Sequence, residues 1–147
     1  MVRHGIHTTM KRATGRSHCP INFTLELFGD PWSLLIVRDM VFSNKRRFKE
    51  FLESEERIAT NVLVDRLARL QQNGIIEKMC EQYLITEKGL DLLPLLTEMV
   101  AWGAKHDQKT ATPKRLARLA RSNPAKFRRE IKKMGASTAS KEDATEK

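Results

Sequence analysis

Residues 57–86, RIATNVLVDRLARLQQNGIIEKMCEQYLIT, constrain the fold of this chain more than any other stretch. Leu63, Leu67 and Leu70 recur at i, i+4 and i+7, which places them on one face of an α-helix. Asn73-Gly74 supplies the left-handed stop that commonly follows a helix. Residues 75–79 and 83–86 are short apolar segments joined by Cys80, Glu81 and Gln82, a spacing that suits a tight hairpin.

A helix that runs directly into a small hairpin is the outline of a winged helix-turn-helix. In that architecture one helix enters the DNA major groove and the hairpin lies beside it. The preceding chain reads as its support. A first helix is expected over 20–29, with Pro20 in its first turn and Gly29 as its stop. Ile21, Leu25 and Phe28, widened by Phe23 and Leu27, give it a stripe facing a core or a second subunit. Asp30-Pro31 then opens a second helix, PWSLLIVRDMVF, apolar almost all round and so expected to be central and buried. Phe48, Phe51 and Leu52 set the inner face of a short third helix, and a turn over 55–58 joins it to the focal helix.

After the hairpin, LDLLPLLTEMVAWGAKH predicts a long helix with Pro94 early in it or at a kink. Its apolar face is broader than a small winged domain needs to cover, which favours a helix–helix dimer contact. The expected dimer residues are Phe23, Leu27, Leu92, Leu96, Met99 and Trp102. Composition changes beyond His106. The stretch PKRLARLARSNPAKFRREIKKM carries nine cations against a single Glu130, with a break at Asn123-Pro124. It reads either as a second phosphate-binding surface or as a solvated helical face. The expected organisation is a flexible basic arm over 1–18, a winged-helix domain with dimerisation helices over 19–106, a basic helical extension over 107–134 and a disordered tail over 135–147. The fold class is thus mainly α: a winged helix-turn-helix with a short β-hairpin wing and a C-terminal helical extension.

The formal charge of +9 concerns partners more than fold, and nucleic acid is the commonest polyanion to match it. There is no apolar leader and no run of roughly 20 apolar residues, so a cytoplasmic, nucleoid-associated protein without membrane contact is expected.

With these residues laid out, the core resembles the HxlR family of bacterial winged-helix transcription regulators. The matching pieces are CPINFTLELFGDPWSLLIVRDM, RRFKEFLES, RIATNVLVDRLARLQQNGIIEK and YLITEKGLDLLPLLTEMVAWG, in the family's order over roughly residues 19–104. The combination of Cys19-Pro20, Gly29, Trp32, Arg47-Phe48, Leu63, Arg66-Leu67, Gly74-Ile75-Ile76, Leu84, Thr86 and Gly89 carries it. The resemblance implies a homodimer that binds palindromic double-stranded DNA and represses or activates nearby genes. The chain departs from the family pattern in a shorter wing hairpin. It also has Ala59-Thr60 where the family places a serine cap, so Thr60 is expected to cap one residue later. The basic stretch beyond residue 112 lies outside the resemblance.

Base-reading side chains should be small or polar and project from the first half of the recognition helix. Thr60 and Asn61 fit best, since Asn can pair bidentately with adenine. Asp65 can accept from cytosine or hold Arg66 or Arg69 in place. The outward face is expected to carry Thr60, Asn61, Val64, Asp65 and Ala68 with Arg66 and Arg69. Both arginines are DNA-contact candidates, although for Arg66 packing and local ion pairing are preferred. Lys45, Arg46 and Arg47 are expected on phosphates, with Lys78 in the wing as a lesser contact. Two rival readings stay open: a sequence-independent architectural protein driven by the basic extension, and a protein-interaction module that keeps the fold.

Cys19 precedes Pro20 at a helix start, where free amides, with His18 and Arg16 nearby, favour the reactive thiolate. In some members of the resembled family the cysteine at this place senses oxidants or electrophiles. A structural thiol at the dimer interface is the equal alternative. Two cysteines make no disulfide framework or zinc site, and a metal site from Cys19, His18 and His4 or His7 is not expected. No phosphate loop, H-E-x-x-H or G-x-S-x-G occurs, so neither catalysis nor a cofactor is expected, and any small-molecule effector is unidentified.

Overall fold

Asp30 starts the central helix. Its carboxylate accepts hydrogen bonds from the Trp32 and Ser33 amides at 2.8 and 3.0 Å and from the Ser33 hydroxyl at 2.6 Å, satisfying donors that a helix N-terminus leaves open. The structure is a computed structural model and describes residues 17–110, 118–119, 121–130 and 133. Helix α1 (Pro20–Phe28) precedes the central α2 (Ser33–Phe42); α3 (Phe48–Leu52) and α4 (Thr60–Gln72) follow. Strands β1 (Ile76–Met79) and β2 (Gln82–Ile85), then helices α5 (Glu87–Leu90) and α6 (Leu93–His106), complete the order.

The expected leucine stripe of α4 faces inward: Leu63, Leu67 and Leu70 are almost fully buried, beside Ile36, Val37, Met40 and Val41 of α2 and Phe51 of α3. Burying each such side chain contributes about 1.5–3 kcal/mol. Helix α4 ends in a left-handed Gly74 (φ 70°), with the Ile75 amide donating to the Leu70 carbonyl and the Gly74 amide to Gln71. That ending turns the chain straight into the antiparallel hairpin, whose register pairs Ile76 with Ile85 and Met79 with Gln82.

The hairpin link is shorter than expected. Gln82 belongs to β2, so Cys80 and Glu81 alone connect the strands. Cys80 takes a left-handed φ of 52°, which few residues other than glycine adopt, and no turn-forming pair announced it. The Tyr83 amide also donates to the Arg46 carbonyl at 2.7 Å, so the segment leading into α3 runs alongside β2.

The long last helix is in fact two. The Thr86 hydroxyl accepts from the Gly89 amide at 3.1 Å, capping α5, and the chain breaks at Asp91-Leu92 before α6 begins. Pro94 falls in the first turn of α6, where its missing N–H costs nothing. Leu96 was expected at a dimer face, but it is only 5% exposed and belongs to the core with Leu93. Leu27 and Leu92 are half-buried against the same core, whereas Phe23, Met99 and Trp102 are exposed, together with Ile21, Leu25 and Leu95.

Part of the basic extension packs onto this domain. Phe127 is 1% exposed, with its ring 5.8 Å from that of Phe42. Arg128 donates to Asp91 at 2.8 Å and to Glu87 at 3.0 Å, and the Asn123 side chain accepts from the Lys126 amide at 3.0 Å. Most of the expected arm and all of the expected tail lie outside the described residues, as do His4 and His7. Among the described residues, no helix is long and apolar enough to cross a membrane.

Candidate nucleic-acid interface

With three leucines turned inward, the outer face of α4 is settled by geometry. Thr60, Asn61, Val64, Asp65 and Ala68 are all exposed along it. Ala59 is the N-cap residue and no side chain caps the helix; Thr60 is the first helical residue and not the cap expected of it. Its hydroxyl therefore stands on the outer face beside Asn61. Val64, expected on this face but given no role there, is a large apolar side chain that is 55% exposed. On such a face a branched methyl group can meet the methyl of a thymine. Arg57, with φ 53°, just before α4, and Lys49 on α3 are two further exposed cations.

Arg66 does not lie with that group. Its Nε donates to the Asp30 carboxylate at 2.9 Å, and another guanidinium nitrogen pairs with Asp65. The hydrogen bond that Arg66 donates to Asp30 holds its guanidinium above its ordinary value. Asp30 is thus shared between the N-terminus of α2 and the middle of α4, which fixes the angle of α4 on the core. Arg69 reaches the Glu26 carbonyl of α1 at 3.4 Å, a second tie from the same helix. Both arginines sit on the supporting side of α4.

The three cations before α3 separate. Arg46 is only 4% exposed, with its guanidinium on the Asn44 side-chain oxygen at 2.8 and 3.0 Å, and burial pushes its pKa down. This corrects the expectation of a phosphate contact there, because a buried guanidinium does not present itself to a backbone. Lys45 donates to the Ser54 hydroxyl at 2.6 Å and to Asp39 at 3.3 Å. Asp39 is itself buried and also holds Ser54 and Arg38, while Arg38 pairs with Glu56 at 2.5 Å. The Arg38 guanidinium outweighs burial and holds the Glu56 carboxyl at about 2. This network joins α2 to both turns that flank α3. Arg47 alone of the three is exposed. The Glu50 carboxylate accepts from the Arg46 and Arg47 amides at 2.6 and 2.8 Å, which tightens the start of α3; those bonds outweigh burial and lower its pKa.

In the wing, Lys78 is exposed and lies 5.5 Å from the centre of the Tyr83 ring. Cys19 is the exposed N-cap residue of α1, its carbonyl accepting from the Phe23 amide at 3.0 Å.

A family model described as HxlR-like helix-turn-helix matches residues 27–111. The chain belongs to the HxlR-like helix-turn-helix family. Among its relatives, the HTH-type transcriptional regulator YodB of Bacillus subtilis is 33% identical over 96 residues, covering 60% of this chain and 85% of YodB. The uncharacterized HTH-type transcriptional regulator sll1512 of Synechocystis is 30% identical over 112 residues, 67% of this chain and 82% of that protein. The quinone-bound YodB crystal structure superposes with a TM-score of 0.53 at 35% identity, over 59% of this chain and 99% of that one. The reduced form of YodB gives 0.52 at 31% identity, over 65% and 100%. The chain is therefore a winged helix-turn-helix transcription regulator of the HxlR type, and α3, its turn and α4 are the helix-turn-helix.

In this HxlR-type regulator Asp30 joins the start of α2 to α4 through its carboxylate. Burial alone would raise its carboxyl, but hydrogen bonds from Ser33, the Trp32 amide and Arg66 outweigh it and bring the pKa down from 3.8 to about 2. A depressed carboxylate contributes stability that is complete above the unfolded value and is lost as pH falls through the folded one. Its share, up to about 2 kcal/mol, should thus disappear between roughly pH 4 and pH 2. Urea unfolding at pH 6 and pH 2.5 is expected to show a smaller acid loss for Asp30→Asn than for the parent. Equal losses in both would show that Asp30 does not contribute.

Proposed function

We propose that this regulator acts as a homodimer on a palindromic operator, with Thr60, Asn61 and Val64 reading bases. Arg47 contacts phosphate, Asp65 lies at the edge of the reading face, and Arg66 and Arg69 position the helix. The observation that carries this reading is the exposed small and polar face of α4, directed outward by three buried leucines. The exposed apolar residues of α1 and α6 support pairing of two copies through those helices, with Phe23, Met99 and Trp102 among them. A bacterial cytoplasmic setting, at the nucleoid, follows from that work.

A sensing role for Cys19 is supported by its exposure at a helix N-terminus and by a relative, YodB, whose structures include quinone-bound and reduced forms. The test is fluorescence anisotropy on a duplex that the protein itself selects from a random pool, against an unselected duplex of equal length. Asn61→Ala is expected to weaken the selected duplex about 10- to 100-fold while leaving the unselected one nearly unchanged. Equal affinity of the parent for both duplexes, at every salt concentration, would overturn sequence-specific regulation. Adding a quinone should lower operator affinity for the parent and not for Cys19→Ser; an identical response in both removes Cys19 as the sensor.

A further inference from the structure

We infer that the docked C-terminal segment is a second grip on the DNA backbone, independent of sequence; this rests on the reading that the chain binds duplex DNA. The winged domain itself offers few cations for that work. Arg46 is buried and Lys45 is bonded to Ser54 and Asp39. The exposed residues of the wing are Glu77, Lys78, Met79, Cys80 and Glu81, with two carboxylates against one amine. The turn between α3 and α4 sets Glu53, Glu55 and Glu56 against Arg57, and the start of α3 adds only the exposed Arg47 and Lys49. Such a surface repels phosphate as much as it attracts it.

The C-terminal segment has the opposite character and a fixed seat. Residues 124–130 are helical, and Phe127 anchors them on Phe42 while Arg128 is neutralised by Glu87 and Asp91. Those two contacts consume the inward-facing positions. Lys126, Arg129 and Lys133, at i, i+3 and i+7, share another face and are all exposed, and Arg118 and Arg121 are exposed ahead of the break at Asn123. The anchors also seat this segment between the end of α2 and the short helix α5. Phe42 ends α2, from which the chain runs along β2 through the Tyr83–Arg46 bond, and Glu87 and Asp91 lie just after β2. Three cations on one face of a helix seated by a buried aromatic ring, with two more ahead of them, complement a phosphate backbone flanking the recognition site. They carry no donor–acceptor pattern that would favour one base pair over another.

The test uses the full chain with Arg121→Gln, Lys126→Gln, Arg129→Gln and Lys133→Gln combined. All four side chains are exposed, so folding should be unaffected, which near-UV circular dichroism checks. Affinity is measured between 50 and 300 mM salt on a self-selected duplex and on a mixed-sequence duplex of equal length. The slope of log affinity against log salt is expected to fall by about 2 to 4, because each neutralised phosphate contributes nearly one unit. Both duplexes should weaken alike, leaving their affinity ratio unchanged. An unchanged slope overturns the proposal, while binding of the parent to neither duplex overturns the DNA reading beneath it. A changed ratio would assign base reading to the segment and also overturn it. So would an equal slope change in a Lys105→Gln, Lys109→Gln control, or loss of binding only to phosphatidylglycerol vesicles.

Discussion

Gly89→Ala is expected to lower the stability of the domain by about 3 kcal/mol, toward the upper end for overpacking a tight site. A Cβ on Gly89 would be driven into the Ile75 carbonyl oxygen and would meet Ile85 Cγ1 at 2.6 Å. Neither neighbour can give way cheaply. The Ile75 carbonyl accepts from the Thr86 amide at 3.1 Å, and Ile85 is paired with Ile76 in the hairpin. Movement of α5 would also break the Thr86 cap, whose hydroxyl donates to the Gly74 carbonyl at 2.5 Å and so ties α5 to the end of α4. The loss should appear as a fall of roughly 10–20 °C in Tm. The effect is steric and not conformational, so Gly89→Ser should cost at least as much. A Gly89→Ala protein that melts within two degrees of the parent would show that α5 moves freely on the hairpin.

Phe127→Ala is expected to cost about 3–4 kcal/mol at the seat of the C-terminal segment, the usual range for emptying a buried aromatic site. The loss is not expected to unfold the domain. Phe127 touches the core from outside the leucine stripe of α4, and the α2–α4 contact persists without it. What should change is local: amides over 121–130 should lose hydrogen-exchange protection, and trypsin should cleave after Arg121, Lys126 or Arg129 far sooner than in the parent. The Arg128 pairs with Glu87 and Asp91 are too exposed to hold the segment alone, since exposed ion pairs contribute about 0–1 kcal/mol each. Parent-like protection over 121–130 would refute the anchoring role of Phe127.

Much of the fold was legible in the sequence because its strongest signals are local. Leucine spacing, Asn73-Gly74 and the carboxylate at Asp30 act within one or two helical turns, and the structure places α1, α2, α4 and the hairpin where they indicate. What was not legible depends on contacts distant in sequence. Whether Leu96 faces a core or a partner is decided by its neighbours across the fold, since its position on an apolar helix is the same in both cases. Arg46 carries the same side chain as Arg47, yet the Asn44 oxygen and the Tyr83 strand enclose the first and leave the second in solvent. The docking of Phe127 was hidden for a similar reason: its site is formed by Phe42, 85 positions earlier. In α4 the division between reading and support was partly visible. The exposure of Thr60 and Asn61 follows from the helix start, and the preference for ion pairing at Arg66 was legible too. Its partner Asp30, in the link between α1 and α2, was not.

The two-residue link of the hairpin restricts how this wing can evolve. Met79 and Gln82 are direct partners across the link, and side chains alternate between the faces of each strand. Adding one residue to either strand would shift its register and turn the buried Tyr83 to the opposite face of the hairpin. A longer wing is therefore reached most simply by inserting matched pairs, one residue on each side of Cys80-Glu81. Each pair would extend the hairpin by about 3.4 Å. Reach toward neighbouring DNA is then a stepwise quantity in this protein, and libraries that vary wing length should return functional members with even-numbered insertions.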